Sequence, residues 1–501
     1  MQMQVFIEPK RRIGRRDTKI YGHFLEHFHR QIYGGVFDPN SILANGMGFR
    51  KDVIQALKEI KTPIIRWPGG CFVSSYHWKD GIGKSRTAVF DKSWRVEEPN
   101  SFGTDEFIDF CRETGAEPYI CTNAGTGSPE DMSDWVEYCN LKSEGKWAKA
   151  RIENGHEEPH GVKYWSIGNE NYGQWEIGAK SADEWGRFVL ESAKMMKRVD
   201  PSIELLAASI TDIEWNLKLL KEAGQFLDWI SIHGYWDKIW FTNKLSDYES
   251  CMAYTTEIEE PILKAESILG ALGYSGKIRI AFDEWNLRGW YHPHVHQFEN
   301  VPAEVCAKAR DDNDFNASYT MADAVFNACF LNQCLKHCKT VGMANFAPAV
   351  NTRGAIYTFE NGIVKRPTYY VFELYTKYMG DEVVDVWMPD NEYFEVSCEG
   401  KAVRVPSLDI VATVSGNGSQ LRIAIVNRHP DKTISVKIDS GSYREFTTAI
   451  LYGISGDSKN AYNDVHHPDR VCTTAEPVKV EVDKDINVEI KPHSVNILVM
   501  T

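Results

Sequence analysis

The sequence lacks paired-cysteine motifs and long apolar runs. Its eleven cysteines are scattered and none belongs to a C-x-x-C pair, which is typical of a reducing compartment, so we expect a cytoplasmic protein. No continuous apolar run follows the basic N-terminus, which argues against a secretory signal. No window approaches the roughly 18 to 20 apolar residues that cross a bilayer, so we expect no membrane partner.

Positive charge is also scarce. Lysine and arginine number 56 and aspartate and glutamate number 70, which gives a formal charge of −14. This balance argues against a protein that follows the phosphates of a nucleic acid, and a neutral partner fits it better. Aromatic residues are plentiful, with 15 Trp and 22 Tyr. Their flat apolar faces suit neutral ring-shaped ligands such as sugars, although most such rings belong to cores.

Short apolar runs alternate with segments of helical spacing up to residue 380. The apolar runs predict strands at 21–25, 64–67, 118–122, 164–167, 203–208, 229–232, 278–282 and 341–346. The helical segments lie at 50–60, 104–114, 129–141, 181–199, 212–223, 248–272, 319–338 and 365–379. Because each strand is followed by a helix, the pattern predicts a (β/α)8 TIM barrel.

The sequence pattern changes after Gly380. Alternating apolar and polar segments, separated by Gly, Asn, Asp and Pro, predict antiparallel strands at 383–387, 402–405, 421–426, 434–438, 445–451, 478–482 and 495–500. We therefore expect two domains. The barrel would occupy 18–380, and a jelly-roll-like antiparallel β-sandwich would occupy 381–501 with an added strand from 1–17.

Two predicted barrel strands end in a glutamate. The run YWSI leads into Asn169 and Glu170, and the run IRIAF leads into Asp283 and Glu284. Glutamate is almost never fully buried without a partner, and barrel active sites lie at the carboxyl ends of the strands. The sequence therefore predicts a site with two carboxylates.

Further polar and aromatic side chains lie at the ends of other predicted strands or in the loops after the strands. They are Glu26, Arg66, Cys71, His233, Tyr235 and Trp290. Taken alone, aromatic residues such as Tyr235 are more often core than ligand platforms. Their convergence with two carboxylates is hard to obtain from packing alone.

Two carboxylates that face each other across a sugar can divide the work of glycoside hydrolysis. One protonates the leaving oxygen, and the other attacks the anomeric carbon or activates water. Hydrogen-bond donors keep the nucleophile ionised, whereas apolar walls and a charged neighbour raise the pKa of the acid. Spacing alone does not assign these roles to Glu170 and Glu284.

The motifs at these strand ends resemble those of glycoside hydrolase family 51, the retaining α-L-arabinofuranosidases. The matching stretches are GHFLEH with Glu26, RWPGGCF with Arg66 and Cys71, YWSIGNEN with Asn169 and Glu170, SIHGYW with His233 and Tyr235, and FDEWN with Glu284. As a set they are highly specific. Two positions depart from the pattern, since Cys71 stands where many members have Asn and Pro348 stands where Gln is usual.

The resemblance implies that Glu170 is the general acid/base and Glu284 the nucleophile, about 5 to 5.5 Å apart as direct attack requires. Asn169 would then hold the 2-hydroxyl of the sugar. Tyr235 would orient the nucleophile, and Glu26 would bind sugar hydroxyls.

Arg66 would support the floor of the site as a fixed cation. The implied activity is exo-acting release of terminal arabinofuranosyl residues from arabinoxylan- or arabinan-derived oligosaccharides. The implied assembly is a homo-oligomer, often a hexamer, and no cofactor is implied.

Other functions stay open at this point. A β-xylosidase or an endo-β-glucanase would use the same carboxylate pair, a metal-dependent sugar isomerase would use the histidines and glutamates as ligands, and a silent sugar-binding protein would use neither. Two groups of histidines are candidate ligand sets, at 23, 27 and 29 and at 292, 294 and 296. The second group lies in HPHVH, whose proline favours a loop, and we expect no metal ion.

Overall fold

The computed structural model describes residues 2–294, 300–416, 418, 420–441, 446–480 and 485–501. The strands are β1 (Gln2–Arg15), β2 (Gly22–Phe24), β3 (Ile64–Trp67), β4 (Val89–Asp91), β5 (Val96–Glu98), β6 (Glu117–Thr122), β7 (Tyr164–Ile167), β8 (Glu204–Ala208), β9 (Trp229–Asp237), β10 (Arg279–Arg288), β11 (Val341–Phe346), β12 (Ile356–Phe359), β13 (Gly362–Lys365), β14 (Glu382–Trp387), β15 (Tyr393–Cys398), β16 (Lys401–Pro406), β17 (Leu408–Val414), β18 (Leu421–Asn427), β19 (Ile434–Asp439), β20 (Ala449–Ile454), β21 (Thr474–Val478), β22 (Ile486–Ile490) and β23 (Ser494–Met500).

The helices lie in the first domain, around the outside of the barrel. They are α1 (Lys51–Glu59), α2 (Thr104–Thr114), α3 (Pro129–Asn140), α4 (Gly145–Glu153), α5 (Ala182–Val199), α6 (Ile213–Ala223), α7 (Tyr248–Tyr254), α8 (Glu259–Ala271), α9 (Ala303–Asp311), α10 (Met321–Lys336) and α11 (Pro367–Tyr378). In the described part of the chain, no helix has the length and apolar content needed to cross a bilayer.

Eight parallel strands close into a barrel, in the order β10, β11, β2, β3, β6, β7, β8 and β9. Each corresponds to one of the eight predicted strands, so the (β/α)8 prediction is confirmed. The strand β7 shows why the pattern was informative: its four residues are all buried, and it pairs with β6 on one side and β8 on the other. Gly168, whose φ is 71°, follows this strand.

The single helix predicted at 248–272 is wrong, because the chain forms two helices there, α7 and α8. Between them, the Thr255 and Thr256 hydroxyls donate to the carbonyls of Met252 and Ala253. Such side-chain bonds to the backbone compete with helix continuation. The helices α4 and α9 were not predicted.

A nine-stranded sheet forms the second domain, in the order β21, β20, β23, β18, β17, β14, β1, β19 and β22. The strand β1 joins it as expected, antiparallel to β14 and parallel to β19. The sheet surrounds a core of its own, which includes Val5, Ile423 and Val436. The predicted strand 402–405 lies instead in a separate hairpin of β15 and β16.

Two predicted strands of this domain are shifted along the chain. The prediction at 445–451 corresponds to β20, and the prediction at 478–482 overlaps β21 only at its last residue. Residue 445 and residues 481 and 482 lie outside the described residues.

The outer face of this sheet packs on the barrel helices. Tyr378 of α11 stacks on Tyr452 of β20, with ring centroids 3.8 Å apart. Asn332 of α10 donates to Asp409 of β17 at 3.0 Å, and Lys336 of the same helix forms an ion pair with that carboxylate. The two domains therefore share a buried interface.

Candidate active site

Glu170 and Glu284 face each other at the carboxyl end of the barrel. One oxygen of each carboxylate and one ring nitrogen of His233 all lie within 4.8 Å of one another. Glu170 follows β7, and Glu284 lies within β10, where a register shift between Ala281 and Glu284 interrupts the pairing with β9. Such an irregularity re-aims a side chain next to a site.

Glu284 is held by two hydrogen-bond donors. The Arg66 guanidinium donates to one carboxylate oxygen at 2.8 Å, and the Tyr235 hydroxyl donates to the other at 2.7 Å. Only 7% of the residue is exposed. Both oxygens are therefore fixed, and one of the donors carries a permanent charge.

Glu170 is held by a histidine and a tryptophan. His233 Nδ1 lies 2.8 Å from one carboxylate oxygen, and the Trp175 indole donates to the other at 2.7 Å. Burial raises the pKa of Glu170, but the bond from His233 and the charge of that ring outweigh burial, so the net pKa lies below its usual value. The expectation that the acid has a raised pKa therefore fails in this state, because the closest neighbour of Glu170 is a cation.

His233 lies among three carboxylates. Burial lowers its pKa, but the charge of Glu284 and the bonds to Asp283 and Glu170 raise the pKa to about 10. The ring is therefore an imidazolium at neutral pH. This cation and Arg66 already supply the positive charges that a metal ion would bring to the same carboxylates.

Asp283 was not predicted as a site residue, yet it anchors the floor of the site. It is fully buried and accepts hydrogen bonds from the hydroxyls of Tyr119 and Ser231, each at 2.6 Å. Burial raises its pKa, but the charge of Arg66 and the bond from His233 bring the pKa down to about 2. Asp283 therefore fixes Arg66 and His233 below the two glutamates.

Asn169 and Glu26 are both held by hydrogen-bond donors. Asn169 accepts from Arg66 at 2.8 Å, which fixes its amide. One Glu26 oxygen accepts from the Phe72 backbone and from the Trp94 indole, whereas the other has no partner among the described residues.

A further carboxyl group of the site, at Glu176, was also missed. It accepts from the Ser74 hydroxyl at 2.5 Å and from the Asn169 amide at 3.4 Å. Burial raises its pKa to about 8, and the bond from Ser74 offsets only part of this rise. One Glu176 oxygen lies within 4.8 Å of the Cys71 sulfur and of a Glu170 oxygen. Glu176 is therefore a neutral acid at pH 7.

A cavity of about 410 Å³ opens above the two glutamates. Its walls are Glu26, Cys71, Trp94, Glu170, Trp175, Tyr235, Trp240, Phe241, Glu284, Trp290 and His292. Six of the predicted site residues therefore line the cavity. Of the other three, Arg66 bonds to Glu284, His233 bonds to Glu170, and Asn169 accepts from Arg66. Trp290 is 4% exposed and stacks on Phe28.

Sequence reasoning missed Trp94, Trp175, Trp240, Phe241 and His292 as cavity walls. The sequence carries only a weak signal for these cavity walls. Trp175 and Glu176 lie in the same loop as Glu170, and no spacing rule separates loop residues that face a cavity from those that face solvent.

The first histidine group does not converge. His23 lies in the core, where burial lowers its pKa to about 3, while His27 bonds to Glu98 and His29 faces Asp311 and Asp314. In the second group His292 lines the cavity, and residue 296 lies outside the described residues.

An eight-stranded parallel barrel with two carboxylates at the ends of its fourth and seventh strands, under a cavity with aromatic walls, defines a glycoside hydrolase of the two-carboxylate type. Comparisons with known proteins narrow this class. Family models described as "Alpha-L-arabinofuranosidase 1 domain" and "Alpha-L-arabinofuranosidase C-terminal domain" match residues 56–252 and 283–494.

The chain is also similar to two curated proteins and to a solved structure over nearly its whole length. A probable α-L-arabinofuranosidase C of Aspergillus niger is 34% identical and covers 92% of this chain and 90% of its own. An intracellular exo-α-(1→5)-L-arabinofuranosidase of Halalkalibacterium halodurans is 32% identical, over 87% and 86% of the two chains. A family 51 α-L-arabinofuranosidase of Thermotoga petrophila is 36% identical, with a TM-score of 0.89 and full coverage of both chains. The chain belongs to the α-L-arabinofuranosidases of glycoside hydrolase family 51.

Proposed function

We propose that this enzyme is an exo-acting, retaining α-L-arabinofuranosidase that releases terminal arabinofuranosyl residues from arabinoxylan- or arabinan-derived oligosaccharides. The observation that carries the proposal is the short gap between Glu170 and Glu284, whose nearest oxygens lie within 4.8 Å. Retaining enzymes hold their carboxyl groups about 5 to 5.5 Å apart, whereas inverting enzymes leave about 6.5 to 9.5 Å for a water molecule.

In the first step a Glu284 oxygen attacks the anomeric carbon. The bond to the leaving oxygen breaks, and that oxygen takes a proton from Glu170. In the second step the Glu170 carboxylate removes a proton from water, whose oxygen attacks the anomeric carbon and releases the Glu284 carboxylate. The sugar leaves with its original anomeric configuration.

The different donors of the two glutamates support this division of roles. Arg66 keeps its proton at any pH of interest, so it can only stabilise charge on Glu284. His233 can give its proton to Glu170, because a carboxyl beside a neutral imidazole holds the same number of protons as a carboxylate beside an imidazolium. The coupled pair therefore carries the proton that the leaving oxygen needs.

The family resemblance and the partners of each side chain indicate the substrate contacts. Asn169, fixed by Arg66, would bind the 2-hydroxyl next to the reacting carbon, and the free Glu26 oxygen would bind a second hydroxyl. Trp175 and Phe241 are each about half exposed at the cavity and are suited to contact the leaving sugar.

We further propose that the chain divides into a catalytic barrel at 18–380 and a second domain formed by 381–501 with 1–17. A cytoplasmic location is supported by eleven cysteines that form no disulfide and by the relative named as intracellular. A homo-oligomer, which the family resemblance implies as a hexamer, is tested by sedimentation: a mass several times that of one chain is expected.

A substrate panel tests the proposed function. With 4-nitrophenyl glycosides, kcat/KM for the α-L-arabinofuranoside should exceed that for the β-D-xylopyranoside and the β-D-glucopyranoside by at least about 100-fold. A xyloside or glucoside cleaved as fast would make the enzyme a β-xylosidase or a glucanase. Free arabinose and oligomers shortened by one residue should be the only early products from arabinan oligomers.

Chelation tests the alternative that the enzyme is a metal-dependent sugar isomerase. The possible ligands for such a metal are Glu170, His233 and Glu284. Full arabinofuranosidase activity in EDTA is expected at 25 °C. A loss that is reversed by added metal would instead support a metal-dependent reaction.

A further inference from the structure

A second cluster of possible ligands lies away from the catalytic cavity, on the helical outside of the barrel. It consists of Asp105 in α2, with His156 and His160 in the connection from α4 to β7. His160 Nε2 lies 2.9 Å from Asp105 Oδ1, and His156 Nε2 lies 3.7 Å from the same oxygen. The three ligand atoms all lie within 4.8 Å of one another.

These distances are close to those of a tetrahedral zinc site. Zinc binds histidine nitrogen and carboxylate oxygen at about 2.0 to 2.2 Å, which places neighbouring ligand atoms about 3.3 Å apart. The two separations from Asp105 Oδ1, 2.9 and 3.7 Å, lie on either side of this value, and the two histidine nitrogens lie within 4.8 Å of each other. Two imidazoles and one carboxylate also match the ligand types that zinc and its neighbours prefer.

The surroundings support this geometry. The Tyr138 hydroxyl donates to Asp105, at 2.7 Å from Oδ2 and 3.0 Å from Oδ1, and so fixes the carboxylate whose Oδ1 faces the histidines. The His160 backbone N–H donates to the Cys139 carbonyl at 2.7 Å, which anchors that residue.

His156 also provides a path by which the metal ion can enter the site. The His156 side chain is 23% exposed, whereas the side chain of His160 is fully buried. A water molecule can therefore reach the fourth coordination position from the side of His156.

One neighbouring group opposes the metal. Arg112 Nη2 lies 3.4 Å from His160 Nδ1, where its N–H favours the tautomer that keeps the proton on Nε2. Metal binding requires the proton on Nδ1, so the guanidinium must turn away. Arg112 is half exposed and already pairs with Asp109 at 3.0 Å, which gives it an alternative position.

We propose that Asp105, His156 and His160 bind one divalent transition metal ion of the zinc type, with water as the fourth ligand. The ion would tie α2 to the connection that leads into β7, the strand that ends at Glu170. This site goes beyond the proposed function and beyond the expectation of no metal, because it stabilises the fold and takes no part in the chemistry.

The test uses the full chain after treatment with EDTA and removal of the chelator. Added Zn²⁺ should raise the melting temperature of the wild type by mass action. The rise should be absent or at least halved in His156→Ala, whose side chain is accessible enough for the variant to fold. The exposed His466 in the second domain gives the matched control, and His466→Ala should behave as wild type.

Competition with a chromophoric chelator measures affinity directly. We expect His156→Ala to lose at least about tenfold in Zn²⁺ affinity and Arg112→Ala to gain, since the opposing N–H is removed. Equal affinities for wild type, His156→Ala and His160→Gln would overturn the proposal and leave only a hydrogen-bonded cluster. Because these readouts are independent of activity, their failure leaves the arabinofuranosidase assignment intact.

Discussion

At the scale of single residues, the catalytic glutamates differ in whether the neighbouring hydrogen-bond donor can lose its proton. Glu284 receives a hydrogen bond from a guanidinium that never deprotonates, and Glu170 receives one from a histidine. The asymmetry lies in side chains that are distant in sequence. It could not be read from the strand-end motifs, which present two similar glutamates.

Substitution of the two glutamates should give different kinetic signatures. Glu284→Ala should lose on the order of 10⁴-fold or more in kcat on every arabinofuranoside, because no covalent intermediate forms. Glu170→Ala should lose far less on 4-nitrophenyl than on alkyl arabinofuranosides, because only poor leaving groups need the proton. Equal losses on both substrates in Glu170→Ala would contradict its acid role.

Glu176 gives a prediction on stability and pH. Its pKa is raised from 4.5 to about 8 in the folded state, so the folded protein binds this proton more tightly than the unfolded chain does. The resulting stability is fully present below pH 4.5 and is lost as the pH rises toward 8. Glu176→Gln keeps the shape of the side chain without its titration.

The measurement for Glu176 is a melting temperature at two pH values. We expect Glu176→Gln to melt a few degrees above wild type at pH 8 and close to wild type at pH 4.5. A variant that is less stable than wild type at pH 8 would show that the buried carboxyl is not a cost at that pH.

At the scale of elements, the turn after β3 sets the space beside the nucleophile. A Cβ atom on Gly70 would lie 3.1 Å from Glu284 Oε2 and 3.6 Å from both Glu26 oxygens. The glycine therefore allows two carboxylates to approach the backbone closely.

Gly70→Ala should disturb catalysis more than folding. We expect kcat/KM to fall at least about tenfold, since small displacements of a catalytic group are costly, with a small change in melting temperature. Gly46→Ala is the matched control, because a Cβ there meets no atom within 4 Å. Wild-type kinetics in Gly70→Ala would mean that Glu284 tolerates displacement.

Strands of the barrel were predicted correctly because both faces of each strand lie in the same apolar environment. All eight barrel strands were predicted because both faces are buried and the runs are continuously apolar. The strand β17 was missed because strands of the second domain were predicted from alternation. Ile410 and Ala412 face the core of the sheet while Val411 faces the barrel, so no polar alternation marks this strand. Cavity walls such as Trp240 were missed because they depend on loop conformation.

At the scale of the whole molecule, the two domains share one buried cluster, in addition to the core that the sheet has of its own. Val411, Ala424 and Ile497 of the nine-stranded sheet belong to the same buried cluster as the barrel helices α10 and α11. Opening that interface would expose apolar surface on both sides. The second domain therefore stabilises the barrel directly.

Calorimetry tests this coupling. We expect a single unfolding transition for the full chain, because the buried cluster between the domains needs residues of both. Two well-separated transitions would contradict the shared core. Residues 18–380 expressed alone should melt below the full chain or fail to remain soluble.

The central claim is that Glu170 and Glu284 are close enough for direct attack on the sugar. Proton NMR of an aryl α-L-arabinofuranoside during its first minutes of hydrolysis tests this most directly, because it records the anomer of arabinose before mutarotation. Double displacement through Glu284 predicts α-L-arabinofuranose as the first product. First-formed β-anomer would show a single displacement by water and would contradict it.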